Sequence, residues 1–210
     1  MMYGMAWPGN YLLAPDGVVL DKKFLRNYEH RASASEVVLR YFGRDGGNSV
    51  EIDAGVVQAV FALSTDRCFP GQELGLALDL KIEPGWHVYG SPVPAGYQPL
   101  ELKLASPLIG EQSLELPMAV PMELKALGET LPVYAKGFRA TGRVFIKWSP
   151  PAPAPFLLAL AEMMNPGAYQ VEGTLRCQAC SNEICEPPRV LRFSLPLTIE
   201  AGIPPAPAKA

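Results

Sequence analysis

Glu73-Leu74-Gly75-Leu76-Ala77-Leu78-Asp79-Leu80-Lys81-Ile82 alternates an aliphatic residue with a small or charged one over its whole length. Successive side chains of a strand point to opposite faces. This register therefore sets Leu74, Leu76, Leu78, Leu80 and Ile82 on a buried face, and Glu73, Gly75, Ala77, Asp79 and Lys81 on an open one. The pattern recurs at Leu100, Leu102 and Leu104, at Val144, Ile146 and Trp148, and at Leu191, Phe193, Leu195, Leu197 and Ile199. Further strand candidates lie near 57–64, 114–116 and 170–180. Together they make about seven strands in the ~145 residues after Gly55, the number expected of an immunoglobulin-like β-sandwich. The run Phe156 to Met164 is a candidate short helix.

Composition agrees with a mainly β fold. The chain has 22 Pro and 19 Gly in 210 residues, and proline is at about twice its usual ~5% share. Each interior proline removes a backbone donor and clashes with the preceding helical turn, which excludes a helical bundle. A hydrophobic content of 49% with a net charge of only -3 excludes disorder. No basic run offers an electrostatic footprint for nucleic acid. No apolar stretch reaches the ~18 residues of a membrane span, and Glu162 interrupts the longest one. Membrane insertion by this chain is therefore not expected. The opening residues MMYGMAWPGNYLLAPDG have neither a basic nor an apolar leader region, so no signal peptide is read there.

Residues 1–43 differ from the rest. Asn10 to Leu13, a Pro15-Asp16-Gly17 turn and Val18 to Phe24 read as a β-hairpin. Ser33-Ala34-Ser35-Glu36 is a capping box opening a helix with Val37, Val38, Tyr41 and Phe42, closed at Gly43. A hairpin plus one helix is too small to bury its apolar faces alone. The segment is expected to pack on its neighbour or to self-associate as a homo-oligomer. Residues 44–55 read as a linker, 56–200 as the sandwich domain and 201–210 as a disordered tail.

Three of the four cysteines fall close together, at Cys177, Cys180 and Cys185. On a continuous strand Cys177 shares the inward face of Val171 and Leu175, whereas Cys180 shares the outward face of Glu172, Thr174 and Arg176. Three residues of strand separate those two by roughly 10 Å, beyond the ~7 Å that a disulfide spans. Ser181-Asn182-Glu183-Ile184 can instead turn tightly and bring Cys180 and Cys185 within bridging range, with Pro187-Pro188 fixing the exit. So short a loop gains little chain entropy from a bridge, which favours a reversible bridge over a staple. Cys177 reads as a small buried hydrophobe and Cys68 as a bystander thiol. A zinc site on the cluster is the rival. It lacks a fourth ligand, since His30 and His87 are distant in sequence and Cys177 faces away. Glu183 and Glu186 should raise the thiol pKa values, with Arg176 and Arg189 opposing them. Such a pair waits for an activated partner thiol.

The run Cys177-Gln178-Ala179-Cys180 with Cys185-Glu186-Pro187-Pro188 resembles the active-site motif of the N-terminal domain family of the thiol:disulfide interchange protein DsbD. Trp86-His87-Val88-Tyr89 resembles that family's aromatic loop, and Gly128 to Tyr134 lies where the family carries a cap loop. The resemblance covers roughly 56–200. It implies an immunoglobulin-like fold, a periplasmic setting and no cofactor or metal. It also implies electron transfer from a thioredoxin-like partner, through a Cys180–Cys185 pair, to other thiol proteins. By position His87 and Tyr89 would stand at the site, and Leu127 to Tyr134 would shield the pair, with Glu183 beside it. Two departures are the four-residue spacing, where five is usual, and the extra Cys177. The family's transmembrane and C-terminal thioredoxin-like parts have no counterpart in the sequence.

Residues 1–43 resemble another family: the last strands and helix of a thioredoxin-fold, peroxiredoxin-like domain. Trp7-Pro8-Gly9-Asn10-Tyr11 stands as its cis-proline turn. The chain would then begin inside a module whose own cysteines lie upstream. Two functions follow for the sandwich. One is a thiol–disulfide relay, a protein-disulfide reductase-like component. The other is an immunoglobulin-like binding or scaffold module with a static disulfide. A lone histidine in a loop, such as His87, is ordinarily a surface residue, and Trp86 a core anchor.

Overall fold

A computed structural model describes residues 9–24, 31–44, 46–124, 128–147 and 165–201. The candidate helix at 156–164, Trp7-Pro8, His30, Leu127, Trp148 and the tail after Ala201 lie outside them. The chain divides into two compact units, Met1–Arg31 and Ala32–Ala210.

In the first unit β1 (Gly9–Leu13) pairs antiparallel with β2 (Val19–Phe24). The expected turn joins them. Val18 N donates to the Asp16 carboxylate at 3.1 Å, Gly17 N donates to the Ala14 carbonyl at 2.9 Å, and Gly17 holds the left-handed φ of 84° that a side chain would resist.

The unit boundary falls within β3 (Arg31–Ala32), and α1 (Ala34–Phe42) follows in the second unit. The capping box places the helix start: Ser33 Oγ accepts from Glu36 N at 3.1 Å. Gly43, with φ 65°, ends it. The strands that follow are β4 (Asn48–Asp53), β5 (Val57–Leu63), β6 (Arg67–Cys68), β7 (Gln72–Ile82), β8 (His87–Tyr89), β9 (Glu101–Leu104), β10 (Ile109–Glu115) and β11 (Val120–Leu124). Then come β12 (Glu129–Tyr134), β13 (Phe138–Ile146), β14 (Gly167–Cys177), β15 (Ala179–Cys180) and β16 (Arg189–Ile199).

The architecture is mainly β, as expected of an immunoglobulin-like sandwich. One sheet runs β10-β13-β7-β5-β4 and a second runs β6-β16-β14-β9. They face each other across one core: Phe61 of β5 meets Phe193 of β16 with ring centroids 4.8 Å apart, amid Leu76, Leu78, Val144, Ile146, Val171, Leu175 and Leu195. A third sheet, β11-β12-β8-β15, extends from this body. Its two faces differ. Val88, Tyr134 and Ala179 join the main core, whereas Tyr89, Leu131, Val133 and Cys180 form a separate cluster with Leu124.

Three expectations need correction. Among the described residues strands β5 to β16 number twelve, not about seven, because pieces as short as β6, β8 and β15 are too brief to show a period of two. Residues 48–53, inside the expected 44–55 linker, form β4 and pair in register with β5 from Asn48↔Leu63 to Asp53↔Gln58. Buried Asn48 ties this edge to the opposite sheet, donating through Nδ2 to the carbonyls of Thr65 at 3.1 Å and Pro196 at 2.9 Å. Finally, β7 is buried on both faces. A Cβ on Gly75 would stand 2.9 Å from Leu39 Cδ2 and 3.1 Å from Glu36 Cα, so α1 lies directly on the face expected to be open. The helix thus belongs to the sandwich unit, not to the hairpin that precedes it.

Candidate functional site

Strand β14 ends at Cys177, and the chain resumes pairing at Ala179 in a different sheet. Gln178 marks the switch. Its Oε1 accepts from Gln98 N at 3.2 Å and its Nε2 donates to the Glu186 carbonyl at 3.2 Å, pinning both sides of the cysteine loop. Residues 181–184 make the expected tight turn. Ser181 N donates to the Ile184 carbonyl at 2.8 Å, and Ser181 Oγ accepts from Glu183 N and Ile184 N at 3.2 and 3.1 Å. Such a hydroxyl-anchored turn is a known use of serine. Glu186 N returns to the Ala179 carbonyl at 2.8 Å. Closing the loop, Cys180 and Cys185 are joined by a disulfide with their Cα atoms 4.0 Å apart.

Cys177 and Cys180 face opposite clusters, as strand parity implied, but Cys180 is not outward in the sense of solvent-exposed. It is 1% exposed. The reason is tertiary: Tyr89, Leu124, Leu131 and Val133 share the far face of the third sheet with Cys180 and form one apolar cluster with it. Cys185 is exposed. The bridge therefore joins an accessible sulfur to a hidden one.

Tyr89 is fully buried, and its hydroxyl lies 3.1 Å from Cys180 Sγ and 3.7 Å from Cys185 Sγ. Its ring meets His87 edge-on at 5.7 Å and Tyr97 at 5.0 Å. Burial, and then the Glu129 carboxylate, push the Tyr89 hydroxyl pKa above its usual value, which keeps it a protonated donor. Tyr97 donates to Glu129 Oε2 at 2.8 Å.

His87 departs from the surface residue expected. It sits on β8 directly opposite Cys180 in the antiparallel ladder and is 2% exposed. Its Nε2 is buried with no hydrogen-bond partner. Desolvation lowers its pKa below 6.5, so the ring is neutral at pH 7. Trp86 is half-buried against the main core.

The disulfide lies in the wall of a cavity of about 730 Å³. His87, Tyr89, Met122, Leu124 and Ile184 line it with the two cysteines, as do Glu123 and Glu183. Of the expected site residues, Cys180, Cys185, His87, Tyr89 and Glu183 come together here. Tyr134 does not. It faces the main core, stacks on Phe138 at 4.7 Å and donates its hydroxyl to the Pro117 carbonyl at 3.0 Å. Leu127 lies outside the described residues. Leu131 and Val133 of β12, inside the expected cap segment, belong to the same apolar cluster as Cys180.

The remaining thiols are buried and free. Burial, with Glu200 adding to it, pushes the Cys68 thiol up to about 12. Burial also raises Cys177, against the pull of Arg189 and with a smaller push from Glu186. Both are poor nucleophiles at neutral pH. Arg189 pairs with Glu186 at 3.0 Å, so one of the carboxylates expected to act on the pair is neutralised by its neighbour.

No family model matches the chain, and no curated protein matches it. Among solved structures, the chain is similar to the N-terminal periplasmic domain of ScsB from Proteus mirabilis, at 16% identity and a TM-score of 0.46. That match covers 73% of this chain and 50% of the other, so the chain spans about half the length of that neighbour. It is also similar to the reduced DsbD N-terminal domain of Neisseria meningitidis, at 15% identity and a TM-score of 0.32, over 60% of this chain and 82% of that one. The GAE domain of GGA2p from Saccharomyces cerevisiae matches at 9% identity and a TM-score of 0.34, over 69% and 94%. Likenesses this distant carry no functional argument, and the site must be judged by its own chemistry.

Met122, Leu124 and Tyr97 are site residues that the sequence did not reveal. Met122 and Leu124 belong to β11, which reaches the cysteines only through the pairing of β12 with both β11 and β8. Nothing local marks them. Alternation along 120–124 is legible, but its target face is not.

Proposed function

We propose that the sandwich is a thiol–disulfide exchange module that passes reducing equivalents from a thioredoxin-like protein to other extracytoplasmic thiol proteins, through the Cys180–Cys185 pair. The observation that carries this reading is the asymmetry of the bridge. Exposed Cys185 is open to attack by an incoming thiolate, while Cys180, buried against the Tyr89 hydroxyl, is a stabilised leaving group. A structural staple needs neither the accessible sulfur nor the cavity beside it. The periplasmic setting is part of the proposal. Among the described residues no helix is long and apolar enough to cross a membrane.

Trapping tests the reading. A Cys180→Ser variant, mixed under mild oxidation with a thioredoxin-like protein lacking its own resolving cysteine, should accumulate a disulfide-linked adduct through Cys185. No adduct with any such protein, together with a bridge potential below about -300 mV, would identify a static disulfide instead.

The relation of residues 1–43 to a redoxin-like domain also remains a proposal, and it now concerns the hairpin rather than α1. Tyr11, Leu13, Val18, Val19, Leu20 and Phe24 of the hairpin are each about half exposed. A two-stranded hairpin gains independent stability only when such a face is covered, which supports self-association through this segment. Sedimentation should then show an oligomer that is lost when Leu13 and Leu20 are both changed to Ser.

A further inference from the structure

Among the described residues two buried side-chain polar atoms make no hydrogen bond: Glu186 Oε2, which is ion-paired with Arg189, and His87 Nε2, which stands beside the disulfide. In the tautomer with its proton on Nδ1, Nε2 is an unpaired buried acceptor, and native structures keep few of them. Three observations place its missing partner. Cys180 and His87 are directly opposed residues of the β15–β8 ladder, and such pairs share a face with Cβ atoms about 4.5–5.5 Å apart. Both side chains line the same cavity. Finally, Cys180 Sγ carries no hydrogen while it is bonded to Cys185, so in the oxidised protein it cannot donate.

We propose that His87 Nε2 accepts a hydrogen bond from the Cys180 thiol once the bridge is reduced, and that His87 thereby sets the position of the thiol–disulfide equilibrium. The inference rests on the exchange function proposed above and adds the residue that poises it. In the reduced protein Cys180 would sit between two complementary groups. Its S–H is directed to the neutral imidazole, and its sulfur accepts from the Tyr89 hydroxyl, already 3.1 Å away.

A thiolate of the partner dithiol attacks Cys185 Sγ. The partner S–Cys185 bond forms as the Cys180–Cys185 bond breaks, and the electron pair remains on Cys180 Sγ. That sulfur takes up a proton and turns it toward Nε2. The partner's second thiolate then attacks the partner sulfur of the mixed disulfide, closing the partner's own disulfide and releasing Cys185, which is protonated from solvent. Two electrons leave the partner dithiol, and two protons end on Cys180 and Cys185. Only the reduced state satisfies Nε2, so His87 favours reduction. A side chain that cannot accept a hydrogen bond should leave the disulfide relatively more stable. Glu123 and Glu183 are the charged groups that face this cavity, and neither substitution below alters them.

The equilibrium of the full chain against mixtures of reduced and oxidised glutathione, read by alkylation and mass, tests this. His87→Leu should shift the equilibrium about tenfold toward the disulfide, or ~30 mV more negative. His87→Gln, whose amide oxygen can accept, should recover most of that shift. Thermal unfolding of the oxidised variants separates folding defects, since Leu in this apolar wall should not destabilise the bridged form. If the wild-type bridge exchanges with glutathione but His87→Leu and His87→Gln both keep its equilibrium constant, the role of His87 is overturned and the exchange function stands. If both variants shift equally, acceptance at Nε2 is likewise overturned. If the wild-type bridge exchanges with neither glutathione nor a partner dithiol, the exchange function itself fails, and this inference with it.

Discussion

At the scale of single residues, the site works by contrast in exposure. Cys185 is open and Cys180 is closed in by Tyr89, Leu124, Leu131 and Val133. Tyr89→Phe removes a donor that would stabilise a Cys180 thiolate, so the Cys180 pKa in the reduced variant should rise; thiolate absorbance followed across pH would show it. Iodoacetamide applied to the reduced native protein should label exposed Cys185 and spare the buried Cys68, Cys177 and Cys180. Burial holds Cys68 at about 12 and raises Cys177 as well. Labelling of all four should require denaturant, and mass spectrometry gives the count. His87 also makes stability depend on pH. Its folded pKa lies below the ordinary 6.5, so the unfolded chain binds more protons just below that pH. Its contribution is fully present above 6.5 and is lost as pH falls from there toward the folded value. Urea midpoints should decline through that window, and should decline less in His87→Gln.

At the scale of elements, α1 and its caps were legible from Ser33, Glu36 and Gly43 alone, because capping is a local exchange of hydrogen bonds. What the helix covers was not legible. Gly75 and Ala77 looked like an open strand face, yet both are buried, and α1 rests directly on Gly75. Gly75→Val should therefore cost about 1–3 kcal/mol by overpacking against Leu39 and Glu36. Ser33→Ala should cost about 1 kcal/mol through the lost cap. Chemical denaturation at constant m-value measures both. Strand β4 escaped notice for a related reason. Its Gly-rich approach and scattered polar residues resemble a linker, and only pairing with β5 makes it a strand.

At the scale of the whole molecule, the chain comprises a hairpin unit and a sandwich unit with its own core. Residues 32–210 alone should fold cooperatively, with the same bridge potential as the full chain; calorimetry and glutathione titration check both. The elements whose cause is local can be read from the amino acids alone: the alternating strands around Leu74–Ile82 and Leu191–Ile199, the capped helix, the inward Cys177 and the turn that closes Cys180 on Cys185. The tertiary structure alone decided which faces became interior. A third sheet, with an apolar cluster on its far side, turned an outward Cys180 into a buried sulfur. It also took His87 out of the solvent and brought Tyr89, Met122 and Leu124 to the disulfide, while sending Tyr134 to the opposite face. The period of a strand says which side chains share a face, and it says nothing about what will cover that face. Covering depends on pairings between segments far apart in the chain, such as β8 with β12 and β15, and those pairings set the exposure on which this chemistry rests.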